Sequence, residues 1–304
     1  MKNVKKNKRI WFSITAVLIL ILAASAFLIF CPSPKLDSET LNYIKYYDSK
    51  PYNPLNLDKL INAGYCQVIG KSCEDKGIKL TVDCIIGDSK NFYIGYTLEN
   101  KTGFIGKETN ATVAVMDNKG NNLVEGVMGA AFSPVFEGNK QYVLINVSKM
   151  GDDNFIIPDE ITVSCDRIDE YTNDNTEPKI IKGNWKVSFR VTNELIKEKP
   201  KSRTLNNQAQ LAGTRIGLKA LEEYATFTEL MFKIDSTDLK SVLDYSFSLE
   251  DDKGNSYMRI YSRPPLSDNK QVKLYFNKSV LEKSLKLYLT GQDGYGEKLR
   301  IEIQ

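Results

Sequence analysis

Hydrophobic and polar positions divide this chain into three regimes. The first is a run of twenty residues without a charge, Trp11 to Phe30, preceded by Lys2, Lys5, Lys6, Lys8 and Arg9. At about 1.5 Å per residue a helix of that length reaches roughly 30 Å, the depth of a bilayer's hydrocarbon core, so residues 10–31 read as one transmembrane helix. The basic residues before it and Asp37 and Glu39 after it place the N-terminus in the cytoplasm by the positive-inside rule and the remainder of the chain outside the cell. Ala24-Ser25-Ala26 offers a cleavage pattern, but Phe27, Leu28, Ile29 and Phe30 carry the apolar run past it. That favours an uncleaved signal-anchor over a signal peptide. Cys31 follows the bulky Phe30 and reads as a thiol at the membrane edge.

The second regime has a helical period. After Pro32-Ser33-Pro34, Ser38 is a cap for a short helix with Leu41, Ile44 and Tyr47 on one face. Asn53-Pro54 restarts a helix with Leu57, Leu60 and Ile61 as its stripe and Gly64 as its stop. Residues 32–64 therefore read as a helical stalk.

From Tyr65 the period changes to two. Leu80, Val82 and Cys84 alternate with polar residues, and after the turn at Gly87-Asp88 come Phe92, Ile94, Tyr96 and Leu98. Ala111, Val113 and Val115 follow, then Val143, Ile145 and Val147, then Ile161, Val163 and Cys165, then Trp185, Val187, Phe189 and Val191. About seven short strands separated by polar turns predict an antiparallel immunoglobulin-like β-sandwich over 65–196. The charged, proline-bearing stretch 197–203 reads as a linker. Alternation resumes beyond it, at Leu230, Phe232 and Ile234, at Tyr245, Phe247 and Leu249, at Val272, Leu274 and Phe276, and through Leu285 to Ile303. A second β-sandwich over 204–304 follows, making the fold class all-β with two tandem sandwiches. Met116-Asp117-Asn118-Lys119-Gly120-Asn121 is echoed by Glu250-Asp251-Asp252-Lys253-Gly254-Asn255, which shared turn chemistry explains and which leaves duplication open.

Composition is that of an ordinary globular protein, with 42% apolar and 26% charged residues. The net charge of +3 comes from the N-terminal tag 1–9. Without those five basic residues the external part has an acidic balance, and nothing asks for nucleic acid as a partner. The absence of histidine excludes Ser-His-Asp and Cys-His catalysis and the histidine-containing zinc sites. Cys66, Cys73, Cys84 and Cys165 fall in a compartment that permits disulfides. Two pairings are open. Cys66 and Cys73 flank Gly70, while Cys84 and Cys165 share the apolar phase of their strands.

Other strings lose to plainer readings. Ser267-Asp268-Asn269-Lys270 overlaps two penicillin-binding motifs within four residues, so one serine would have to fill two roles, and a polar loop is the better reading. Asp117 to Gly120 and Asp251 to Gly254 place a lysine where a calcium loop wants an oxygen. Asp152-Asp153-Asn154 with Asp166, Asp169 and Glu170 is a further acidic group, one that gathers an ion only if its loops meet. Tyr43, Tyr46, Tyr47 and Tyr52 read as packing or interfacial residues. No catalytic, cofactor-binding or metal site is assigned, and no cofactor is expected.

Ser72 to Asp83, with its Asp75-Lys76-Gly77-Ile78 entry, running on through Gly87-Asp88 to Tyr93-Ile94-Gly95-Tyr96-Thr97-Leu98, resembles a family. It is similar to the extracytoplasmic domain of unknown function found behind a single membrane helix in Gram-positive bacterial proteins, several of them anti-sigma-factor-like regulators. The resemblance implies the same topology in a Gram-positive envelope. The short inner segment, 1–9, differs from regulators that hold a sigma factor.

The expected function is that of a non-enzymatic, single-pass membrane protein that binds or senses an envelope protein or polymer, through loops such as Thr102–Glu108 and Thr172–Ile180. A truncated anti-sigma-type regulator signalling through a membrane partner is the alternative, and a hydrolase using paired carboxylates the second. The topology is directly testable. Protease added outside intact cells should remove nearly the whole chain, and a protected full-length band would refute it.

Overall fold

A computed structural model describes residues 36–49, 56–101, 108–124, 134–171, 177–211, 214–234, 246–263, 271–277, 286–292 and 298–303. The expected tag and membrane helix lie outside the described residues, among which no helix is long and apolar enough to cross a membrane. Ser38–Gln304 forms one compact unit.

Its strands are antiparallel throughout. The first set comprises β1 (Cys66–Asp75), β2 (Ile78–Gly87), β3 (Asn91–Asn100), β4 (Glu108–Asp117), β5 (Val135–Glu137), β6 (Lys140–Ser148), β7 (Glu160–Tyr171) and β8 (Lys179–Arg190). They form a five-stranded sheet in the order β1-β2-β3-β6-β5 and a three-stranded sheet β4-β7-β8. Lys76 and Gly77, both at positive φ (50° and 74°), make the tight turn between β1 and β2, a conformation matched to the right-handed twist of a hairpin. The alternating residues Leu80, Val82, Ile94, Tyr96, Leu98, Val143, Ile145, Val163, Val187 and Phe189 share one core with Trp185. The Trp185 indole donates to the Ile78 carbonyl at 2.8 Å, which satisfies its one polar atom in a fully buried site.

One simple expectation fails in an instructive way. Alternation predicts a half-buried β3, yet Asn91 to Leu98 are all buried. The reason is the stalk. Helices Ser38–Asp48 and Leu57–Asn62 bury Tyr43, Ile44, Tyr47, Leu57 and Leu60, and they cover the sheet face that turns away from the core. Tyr43 stacks on Tyr142 of β6 with ring centroids 5.0 Å apart, and Gly95 leaves room for the Tyr43 hydroxyl where a Cβ would collide with it. Lys140 pairs with Glu39, which also accepts from the Tyr142 hydroxyl at 3.0 Å. The second helix is capped from an unexpected place. Residues 53–54 lie outside the described residues, and Asp48 accepts from the backbone N–H of Leu57 and Asp58, both at 2.8 Å.

A bulge corrects the reading of Cys84. Val82 pairs with Tyr96 and Cys84 with Gly95, leaving Asp83 as the extra residue. Two residues opposite one invert the alternation. Ile85 thereby joins the core, while Cys84 turns to the helix-covered face. Cys165 lies in the core on the other side of the sheet, so these two cannot bridge. Cys66 and Cys73 stand at opposite ends of β1, roughly 23 Å apart on an extended strand. All four are free thiols.

The edges of the two sheets are joined by side chains. Along β8, the backbone N–H groups of Asn184 and Lys186 donate to the Asp75 carboxylate (2.8 Å) and the Cys73 sulfur (3.2 Å). Lys71 donates to the Ser188 carbonyl and Gln67 to the Arg190 carbonyl, while the Gln67 side-chain oxygen accepts from Thr192 and Asn193 N–H. Alternate side chains of β1 thus occupy the free edge of β8, an exposed row that would otherwise invite pairing with another chain.

The second set comprises β9 (Lys201–Thr204), β10 (Gln208–Leu211), β11 (Thr214–Glu223), β12 (Phe227–Ile234), β13 (Ser246–Asp251), β14 (Ser256–Arg263), β15 (Gln271–Asn277), β16 (Leu287–Gln292) and β17 (Lys298–Ile303). Their order is β10-β11-β12-β15-β14-β13-β16-β17, with β9 paired to β11. Strand β9 takes in the end of the segment expected to be a linker. Its four side chains are all exposed, so backbone pairing builds the strand without any hydrophobic alternation to announce it.

The second set repeats the plan of the first. The order β10-β11-β12-β15-β14 corresponds to β1-β2-β3-β6-β5, and β13-β16-β17 to β4-β7-β8. Register agrees as well. Val82, Tyr96 and Val143 are aligned across β2, β3 and β6, as Leu218, Phe232 and Val272 are across β11, β12 and β15. A bulge follows Val82 in one and Leu218 in the other. Asp117, Ile161 and Phe189 line up as Asp251, Leu287 and Ile303 do. The echoed turns share hydrogen bonds too. Asp117 Oδ1 accepts from Lys119 and Asn121 N–H and Oδ2 from the Asn121 amide, and Asp251 does the same with Lys253 and Asn255.

The Asn255 amide, with the backbone donors of the turn, brings the Asp251 carboxyl from its ordinary 3.8 down to about 2. A depressed folded-state pKa contributes stability that is present above the ordinary value and lost as pH falls through the folded one. Acid titration of unfolding should therefore show stability falling between 3.8 and about 2, and Asn255→Ala should flatten that part of the curve. An unchanged curve would remove the assignment.

Candidate functional site

Two places concentrate polar chemistry, and the first fastens the two strand sets together. Asp88, in the turn between β2 and β3, is 3% exposed. Its Oδ1 accepts from the N–H of Lys90 (3.0 Å) and Asn91 (2.9 Å), closing its own turn. Its Oδ2 accepts from the N–H (2.8 Å) and hydroxyl (2.7 Å) of Thr226, between β11 and β12. Asn91 adds a bond from its amide to the Thr226 hydroxyl oxygen at 3.1 Å. Burial pushes the Asp88 carboxyl up, and the Thr226 hydroxyl and the three backbone donors act against that.

Around this point Met150, Tyr224, Phe227 and Tyr275 form a small apolar cluster, with the Tyr224 and Phe227 rings stacked at 4.3 Å. At its border, Lys273 Nζ lies 2.8 Å from Glu229 Oε1 and 2.6 Å from Asp153 Oδ1. Burial pushes Glu229 up while Lys273 holds it down. Lys90 Nζ donates to the carbonyls of Asp152 and Phe155, and burial lowers its pKa. Of these contacts the Lys273–Asp153 pair joins the second strand set to the first, so with Asp88 and Thr226 it orients the two sets.

The second place is an open groove of about 500 Å³ at the end of β8, lined by Asn118, Asp159, Glu160, Arg190, Val191, Thr192, Glu194 and Lys197. The turn Asp117–Asn121 supplies one side and the segment leaving β8 the other. Val191 N–H donates to the Asp159 carbonyl at 2.9 Å. Lys197 Nζ holds the Asp159 carboxylate at 2.6 Å and keeps its pKa below the ordinary value. Arg190, Glu160 and Glu194 give the lining charges of both signs.

The expected contact loops are largely out of view, since 102–107 and 172–176 lie outside the described residues, as does Ser267–Lys270. The acidic residues proposed as an ion group do not converge. Asp153 pairs with Lys273, whereas Asp169 pairs with Arg167 and Glu170 with Lys179 at the far end of β7. The two parts are separated by most of a twelve-residue strand, and no group of metal-ligating side chains occurs among the described residues. The turn carboxylates Asp117 and Asp251 are occupied by their own turns. Tyr43 and Tyr47 are packing residues. Asp88 and Thr226 were not singled out from the sequence, where each is an ordinary turn residue and nothing relates positions so far apart.

Comparison with known proteins gives a matching frame. A family model described as "Domain of unknown function (DUF4179)" matches residues 5–100. No curated protein matches the chain. The crystal structure of a conserved domain protein from Bacillus anthracis is similar over 86% of this chain and 95% of that one, at 14% identity and a TM-score of 0.54, a likeness of fold. An alignment to bovine butyrophilin, at 8% identity over 71% of this chain and 92% of that one, has a TM-score of only 0.18 and bears on nothing further.

Thr226→Val removes a donor from a buried carboxylate, a loss of about 1–3 kcal/mol. Urea unfolding should show that loss, whereas Lys179→Ala at the exposed Glu170 pair should change stability by less than about 1 kcal/mol. Equal effects would contradict the role given to the junction.

Proposed function

We propose that this chain is a membrane-anchored, extracytoplasmic binding or sensing protein, non-catalytic, made of two immunoglobulin-like sandwiches held in fixed relation. The observation that carries the reading is the repeated strand plan joined through Asp88 and Thr226. Constant-type immunoglobulin sandwiches place strands A, B, E and D in one sheet and C, F and G in the other. Strands β2, β3, β6 and β5 against β4, β7 and β8 are in keeping with that order, as are β11, β12, β15 and β14 against β13, β16 and β17. The apolar run Trp11 to Phe30 supports the anchor and the outward orientation. A fixed pair of modules on a tether presents loops and grooves in one geometry, which is what recognition of an envelope protein or polymer requires. The groove beside Arg190 and Thr192 is the proposed contact.

A photo-crosslinking residue at Thr192, used in intact cells, should capture one dominant envelope component, and Arg190→Glu should reduce that capture at least several-fold. A residue on the exposed side of β9 should capture little. Equal labelling from both positions, or efficient turnover of glycans, peptides or esters by the purified chain, would overturn the reading.

A further inference from the structure

Cys66 and Cys84 occupy neighbouring strands, with Cys66 opposite Ile86 and Cys84 opposite Val68. Those two pairs lie two positions apart on the same face, so the cysteines are diagonal neighbours. The bulge at Asp83 is what puts Cys84 there. The Cys84 thiol is placed to donate to the Cys66 sulfur. Their exposure differs. Cys84 is wholly buried, with Gly95 behind its sulfur, whereas Cys66 at the start of β1 is half-buried. Diagonal neighbours begin at roughly 7 Å between Cα atoms, the outer limit for a disulfide, so closure asks for a small local adjustment. Irregularities at Val68/Lys71 and Val82/Cys84 interrupt both ladders immediately beside Cys84 and make that adjustment available.

We propose that Cys66 and Cys84 are a thiol modification site, oxidised to a cross-strand disulfide by a low-molecular-weight disulfide. The reaction runs in two exchanges. The Cys66 thiolate attacks one sulfur of the reagent disulfide, whose S–S bond breaks and whose other half leaves as a thiolate that takes up a proton. Cys84 then gives up its proton and attacks the Cys66 sulfur of the mixed disulfide, forming the Cys66–Cys84 bond and expelling the second reagent thiol. Two protein thiols are oxidised and one reagent disulfide is reduced. The order follows from access, because only Cys66 meets solvent. The hydrogen bond from Cys84 also lowers the Cys66 pKa and raises that of Cys84, which favours Cys66 as the attacking group.

The bond would tie β1 to β2. Strand β1 carries Gln67, Lys71, Cys73 and Asp75, the side chains that cover the β8 edge, so its attachment governs the seam between the sheets. The proposal is independent of the binding reading above.

The test uses the purified full-length chain in detergent, treated with oxidised glutathione, alkylated and digested with trypsin. The expected product is peptide Leu60–Lys71 joined to Leu80–Lys90, lighter than their sum by two hydrogen atoms and abolished by dithiothreitol. Cys66→Ser should eliminate it, and Cys73→Ser should leave it unchanged. Cys84→Ala should instead accumulate the mixed disulfide of Cys66 with glutathione. Circular dichroism checks that each variant folds, and Cys66→Ser, at a half-exposed position, carries the test if Cys84→Ala does not. No linkage, linkage to Cys73 or Cys165 instead, or a stable mixed disulfide at Cys66 in the unaltered chain would each overturn the proposal.

Discussion

The architecture depends on a sheet that is buried on both faces. Strand β3 keeps no side open to water between Asn91 and Leu98, so one layer must cover each face. The three-stranded sheet does so on the Trp185 side, and the two short helices on the Tyr43 side. Each fully buried aliphatic or aromatic side chain contributes on the order of 1.5–3 kcal/mol, which makes the helices part of the fold's core. Beneath them Thr97 donates to the buried Asp83 carboxylate at 2.7 Å. The same constraint explains why Gly95 lies where the Tyr43 hydroxyl arrives.

Using one strand plan twice creates a second requirement, a way to hold the copies together. An apolar contact alone would allow sliding. The junction combines a small aromatic cluster with a carboxylate whose four acceptor positions are shared between the copies, two donors from its own turn and two from Thr226. A buried carboxylate tolerates little displacement, because each lost donor leaves charge uncompensated. Direction as well as proximity is therefore set.

Function, on this view, resides in surfaces presented by a stiff frame. The groove at the end of β8 joins residues from the Asp117 turn, the start of β7 and the segment after β8, three places that meet only when the three-stranded sheet β4-β7-β8 is assembled. Its lining carries charges of both signs, Arg190 and Lys197 with Asp159, Glu160 and Glu194. The Cys66–Cys84 pair adds a chemical feature to the strand that seals one sheet edge, away from the surfaces that would meet a ligand.

Period, turn chemistry and composition by themselves determined the membrane-length apolar run, two helices before the first strand, the antiparallel β character, the main core residues and the absence of histidine chemistry. These are local properties, and short-range spacing encodes them. Tertiary structure alone decided the rest. A single extra residue, Asp83, inverted the alternation and sent Cys84 away from Cys165 and toward Cys66. Strand β9 formed from exposed residues because its partner β11 needed a neighbour. Asp88 and Thr226, two unremarkable turn residues 138 positions apart, became the fastening between the two strand sets. In each case the deciding interaction is a backbone or side-chain contact between segments distant in sequence, whose cost or gain appears only once the sheets are assembled.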